Sequence, residues 1–201
     1  MKNRCLVFAL CFLPLSMAVT ADDGIMVNVR LPDCPWADSR LEIELARRLS
    51  TIRNVPVTWV DSSVRSWYDN HPKATFDDLV AVGKRLGGRY LVDILIDRID
   101  LEKRKVTVIP LTVFRYRVFG VLTGTMRIID VEKNRLVGLK EICYEVKASD
   151  QWQFTEDDPT DPTLLIPPDR RYLLFQRLDR KAAAELFKEI RKLSRGAYRG
   201  R

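Results

Sequence analysis

The sequence predicts an α+β fold, a mixed sheet with helices packed mainly on one face, in the order β-α-β-α-β-β-β followed by a C-terminal helix. Three observations carry this prediction. Apolar residues alternate at period two over residues 25–31 and 90–99, the spacing of strands that turn one face to a core, and 114–131 and 136–146 read as a long strand and the last strand of a hairpin. Two early segments, 39–52 and 75–86, instead repeat apolar residues at intervals of three and four and open on capping-box pairs. The helical segments are interleaved with the first strands and absent between the later ones. With 46% hydrophobic and 30% charged residues in 201, the chain has the composition of a folded protein, which excludes a disordered or collagenous one.

The first strand sets Ile25, Val27, Val29 and Leu31 against Met26, Asn28 and Arg30. After a loop at 32–36, Ser39 and Glu42 form a capping box, and Leu41, Leu45, Leu49 and Ile52 line one helix face until Asn54 and Pro56. Residues 57–60 make a short strand, and 62–70 one or two helical turns carrying Val64, Trp67 and Tyr68. Thr75 and Asp78 open the next helix, with Phe76, Leu79, Val80, Gly83 and Leu86 on one face and Gly87-Gly88 as its stop. The central strand opposes Val92, Ile94 and Ile96 to Leu91, Asp93, Leu95, Asp97 and Ile99. Lys103-Arg104-Lys105 reads as a charged turn, Pro110 as an interruption or edge position, and Gly120 and Gly124 as bulges or bends. Residues 132–134 form a polar turn into the last strand of a hairpin. Asp179 reads as the cap of the final helix, whose apolar stripe is Ala183, Leu186, Phe187, Ile190, Leu193 and Ala197.

Residues 1–21 read as a cleaved secretory signal peptide. Lys2 and Arg4 precede an apolar run at 5–17, and Val19-Thr20-Ala21 supplies small residues before Asp22 and Asp23. The run is shorter than the roughly 20 residues that span a bilayer and is broken by Pro14. Leu10, before Cys11, is too large for a lipidation box. The expected location is the periplasm, or outside the cell. Residues 22–149 form the α+β domain, 150–168 an acidic, Pro-rich connector, and 169–201 a basic amphipathic helix expected to dock on the domain. The net charge of +7 is concentrated in that last segment, with 11 basic and four acidic residues.

Cys34 and Cys143 remain after signal cleavage, and an oxidising compartment permits either a disulfide between them or two unlinked apolar thiols. One His and no CxxC leave zinc without ligands, and no other metal or cofactor is expected. Residues 156–161 are acidic but lack the spacing of a calcium loop. Asp93 and Asp97 share a strand face, yet four residues of strand separate them by about 13 Å, beyond the range of paired glycosidase carboxyls. Ser62, Ser63 and His71 have no motif around them that would build a triad. Gly83, Gly87 and Gly88 close a helix and do not open one, so they make no phosphate loop. The basic face of the last helix, Lys188, Arg191, Lys192 and Arg195 with Arg199 and Arg201 beyond it, suits solvent or an anionic membrane or polymer surface. Export argues against nucleic acid.

The stretch LVAVGKRLGGRYLV at 79–92 resembles a helix–Gly turn–strand segment shared by three groups: the amino-terminal domain of the Tol-Pal translocation protein, the activator lipoproteins of penicillin-binding proteins, and the curli secretion pore. The hairpin GTMRIIDVEKNRLV at 124–137 resembles the one that follows in the same groups. The opening strand would correspond to theirs, although this chain reads Val29-Arg30-Leu31-Pro32-Asp33-Cys34 there. The resemblance implies an envelope accessory that works through protein contacts, without enzymatic activity. The chain departs from it in lacking a lipidation box and a following β-propeller, so tethering and partner are not carried over. The reading is an exported, non-enzymatic protein that binds another envelope protein through a groove or sheet edge. Membrane or anionic-polymer binding through the basic helix and a small hydrolase are the alternatives.

Overall fold

Six strands form one mixed sheet in a computed structural model that describes residues 22–196, apart from 54, 61–63, 65, 68–70, 72–73, 110–112, 149–150 and 154–165. The strands are β1 (Asp22–Arg30), β2 (Val57–Trp59), β3 (Gly88–Ile109), β4 (Val113–Asp130), β5 (Arg135–Lys147) and β6 (Gln151–Gln153). The helices are α1 (Arg40–Leu49), α2 (Phe76–Leu86) and α3 (Pro168–Ser194). The sheet runs β2-β1-β3-β4-β5, and β6 pairs with the start of β4. β1 is parallel to both its neighbours and the remaining pairs are antiparallel. The α+β class, the mixed sheet and the element order are those the sequence predicts.

The crossovers decide which face each helix covers. The step from β1 to β2 moves one way along the sheet, and the step from β2 to β3 moves back past β1. Right-handed crossovers in opposite directions place their helices on opposite faces. Ile25, Val27, Val92, Ile94 and Met126 accordingly pack with Leu41, Leu45 and Leu49 of α1, while Met26, Leu91 and Ile129 pack with Leu79 and Val80 of α2. α3 joins α1 on the first face, burying Leu174, Phe175, Leu178, Ala182, Ala183, Leu186, Ile190 and Leu193 in the same cluster. At about 25 cal/mol per Å² of apolar surface, each buried leucine, isoleucine or phenylalanine among them contributes about 1.5–3 kcal/mol, and the alanines less.

Thr75 caps α2 as its spacing predicts: its hydroxyl accepts from the Asp78 N–H, and the Asp78 carboxylate accepts from the Thr75 N–H at 2.8 Å. Gly87 ends the helix at φ 75°, in the left-handed region that suits glycine. The Ser39 capping box does not form. Ser39 takes a helical conformation that carries its hydroxyl away from the free N–H groups, and Asp38 Oδ1 accepts from the Arg40 N–H instead, at 2.9 Å.

The charged turn expected at 103–105 is also corrected, because β3 runs through it without a break. Arg104 and Lys105 pair across to Arg117 and Tyr116. Upstream of this stretch, a bulge at Asp97 shifts the register between Ile96 and Arg98. Beyond it, Ile99 and Leu101 turn into the α1/α3 core with Ile94 and Ile96, not onto the face of Asp93. Gly124 sits opposite this bulge, where a Cβ would lie 2.2 Å from the Leu95 carbonyl oxygen. β6 places a short strand inside the stretch read as connector. α3 starts at Pro168, 11 residues before the cap expected at Asp179, since Leu174, Phe175 and Leu178 extend the apolar stripe backwards.

Candidate functional site

Asp93 is fully buried at the centre of the sheet, on the α2 face. The strand register sets it between Asn28 of β1 and Arg127 of β4. Asn28 Nδ2 donates to Oδ1 at 2.9 Å; Arg30 Nη2 donates to Oδ2 at 2.9 Å, and Arg127 donates to Oδ2 from Nε and Nη2 at 3.1 and 2.6 Å. Four charge-assisted hydrogen bonds occupy this carboxylate, making it a cross-strand clamp. The bulge leaves Asp97 exposed, so the two carboxylates share neither surroundings nor partners. His71 is exposed and stacks on Trp67 at 4.5 Å between centroids, with Nδ1 2.8 Å from the Trp67 carbonyl oxygen. Ser62 and Ser63 lie outside the described residues. Among the described residues, no three His, Cys, Asp or Glu side chains gather as a metal site.

The proposed disulfide is not formed: both cysteines are free. Cys34 packs against the α1/α3 core near the Ile99 carbonyl. Cys143 follows core-facing Ile142 along β5 and therefore points to the opposite face, where it is exposed. The sheet itself separates the thiols, so no side-chain rotation brings them together.

Asp179 is the site residue that sequence reasoning misplaced. It lies in the middle of α3, buried against α1, with Oδ2 3.8 Å from Arg40 Nε. Burial, with Asp38 nearby, pushes its carboxyl up to about 6 against the pull of Arg40. Arg40 also pairs with Asp38 and lies over the Tyr172 ring at 4.4 Å. Trp36 stacks on Phe175 at 4.8 Å and 16°, fixing the loop after β1 against the helix. A signal for this existed in the helical spacing of Phe175, Asp179 and Ala182.

The basic residues of α3 divide into two sets. Lys188 Nζ donates to Glu185 at 2.7 Å, and Lys192 Nζ to Glu189 at 2.8 Å. Glu189 also accepts from Lys140 of β5 at 2.7 Å, and Lys181 Nζ donates to the Glu145 carbonyl at 2.9 Å, tying α3 to the sheet. Arg191 and Arg195 stand apart from these pairs and line a cleft at the C-terminal ends of α1 and α3. Arg199 and Arg201 lie outside the described residues. No described helix is long and apolar enough to cross a membrane.

β5 forms one edge of the sheet. Its 13 residues pair with β4 on one side and, among the described residues, with no strand on the other. Leu136 and Leu139 are exposed at 44% and 64% near its start, whereas Lys140, Glu141 and Lys147 charge the rest. Polar side chains discourage indiscriminate pairing along an edge, and exposed leucines do not.

No family model matches the chain, and no curated protein matches it. Among solved structures it is similar to a minor lipoprotein from Acinetobacter baumannii at 11% identity, covering 88% of this chain and 96% of that one, with a TM-score of 0.43. It is similar to the rare lipoprotein B from Shewanella oneidensis at 13% identity over 84% and 94% of the two chains, TM-score 0.39. The C-terminal domain of LpoB from Salmonella enterica aligns at 10% identity over 61% and 83%, TM-score 0.31.

Proposed function

We propose that this chain is an exported, non-enzymatic cell-envelope accessory protein that binds another envelope protein along the β5 edge. The observation that carries the reading is the outer side of a 13-residue strand, unpaired among the described residues and bearing Leu136 and Leu139 in solvent. An extended segment of a partner adds there as a further strand: its main chain takes up the outward N–H and C=O groups, and its apolar side chains cover the two leucines. The signal-like segment 1–21 supports export. The occupied carboxylate of Asp93 supports a structural role for the most deeply buried acid of the sheet.

A photo-crosslinking residue at position 139, compared with one at exposed Ile43 on α1, tests this in intact cells. The expected result is one discrete adduct from position 139, absent from position 43 and lost in the Leu136→Glu variant. Adducts of equal intensity at both positions, or none at 139, would overturn it.

A further inference from the structure

Arg53, Arg191 and Arg195 converge on the cleft of about 650 Å³ at the C-terminal ends of α1 and α3. Arg53 comes from the loop after α1, and the other two from the last turn and cap of α3. All three are exposed, and no carboxylate among the described residues forms an ion pair with them. Among the described residues, no acidic side chain lines the cleft. Along the neighbouring faces of α3 and β5, by contrast, Lys140, Lys188 and Lys192 each hold a glutamate.

Complementing helix dipoles does not account for the arrangement. A helix C-terminus carries about half a negative charge, so two of them ask for about one positive charge, and three guanidiniums stand there. Arg53 also belongs to neither helix. The hydroxyls in the wall, Thr51 and Ser194, already donate to the carbonyls of Arg48 and Arg191 at 2.7 and 2.8 Å. The unspent donors facing the cleft are therefore those of the arginines. Ile52 and Phe187 add an apolar wall, with Arg191 5.9 Å from the Phe187 ring centroid.

From this geometry we infer that the cleft binds a phosphate group carried on a body the size of a sugar or glycerol. Guanidinium forks match phosphate oxygens in pairs, and three of them suit a group bearing up to two negative charges. The volume exceeds that of a bare anion, and the apolar wall accommodates the carbon skeleton. A phospholipid headgroup and a soluble sugar phosphate offer the same chemistry. The site shares no residue with the β5 edge and goes beyond the partner-binding reading.

The test measures binding of the full exported chain to phosphatidylglycerol vesicles and, separately, to glucose 1-phosphate, against phosphatidylcholine vesicles and glucose. Saturable binding in either phosphate arm, weakened about tenfold by Arg53→Gln and again by Arg191→Gln, is expected. The arm that binds identifies the source. Lys188→Gln, on the same helix but outside the cleft, is expected to change affinity less than twofold. Unchanged melting temperatures show that the variants fold. Absence of binding in both arms would overturn the inference, and so would binding that the Lys188 and Arg53 variants weaken equally.

Discussion

Replacing Asp93 by Asn keeps the shape of the side chain and removes its charge. Oδ2 now accepts from two arginines at once, and Oδ1 from Asn28. An amide in its place turns an NH₂ group or a weaker oxygen towards Arg30 and Arg127, so that the two guanidiniums lose the carboxylate they share. Breaking a buried pair in this way costs about 3–5 kcal/mol. The Arg30 side chain is 10% exposed and the Arg127 side chain 25%, so water relieves part of the repulsion and the lower end, about 3 kcal/mol, applies. For a chain of this size that lowers the melting temperature by about 6–12 °C. Urea unfolding followed by tryptophan fluorescence measures it, with the midpoint falling at constant slope. Asp97→Asn is the matched control, because its exposed carboxylate is expected to contribute less than about 0.5 kcal/mol. A loss below about 1 kcal/mol for Asp93→Asn, or equal losses for the two variants, would refute the clamp.

The remaining predictions concern α3 and the bulge. Asp179 has a folded pKa of about 6, above its unfolded 3.8, because burial disfavours the charged form. Its contribution to stability is complete below pH 4 and is lost as pH rises through about 6. Asp179→Asn is therefore expected to match the parent near pH 3.5 and to be more stable at pH 8, by up to about 3 kcal/mol. Thermal melts across that range check it, and a constant difference between parent and variant would contradict the assignment. Gly124→Ala forces a Cβ against the Leu95 carbonyl, a backbone atom that cannot swing aside. The expected cost is about 2–3 kcal/mol in urea unfolding, whereas Gly120→Ala, whose nearest contact is the flexible end of Leu174 at 3.3 Å, is expected to cost less.

Local signals carried most of the architecture. The α2 boundaries were legible because Thr75, Asp78 and Gly87 act through bonds and dihedrals within a few residues of themselves. Ser39-x-x-Glu42 offers the same pattern and fails, because Ser39 takes a helical conformation and its side chain makes no cap bond, while Asp38 accepts from the Arg40 N–H. The turn at 103–105 was read from its run of charge, whereas the misassigned face of Ile99 has its cause upstream. A single extra residue at Asp97 reverses the alternation, and period-two reading cannot see an insertion whose evidence lies on the partner strand, at Gly124. For the candidate surfaces, the sequence pointed to Arg191 and Arg195 through their helical spacing but not to Arg53, which joins them across 138 positions of chain.

By itself the sequence determined the fold class, the order of the elements and the amphipathic faces of the helices, all consequences of side-chain periodicity and short-range hydrogen bonding. Tertiary structure alone decided that Cys34 and Cys143 lie on opposite faces, that Asp93 faces two arginines, and that three arginines share one cleft. Each depends on strand register and crossover direction, which are set by the burial of whole faces and not by any residue's immediate neighbours in the chain.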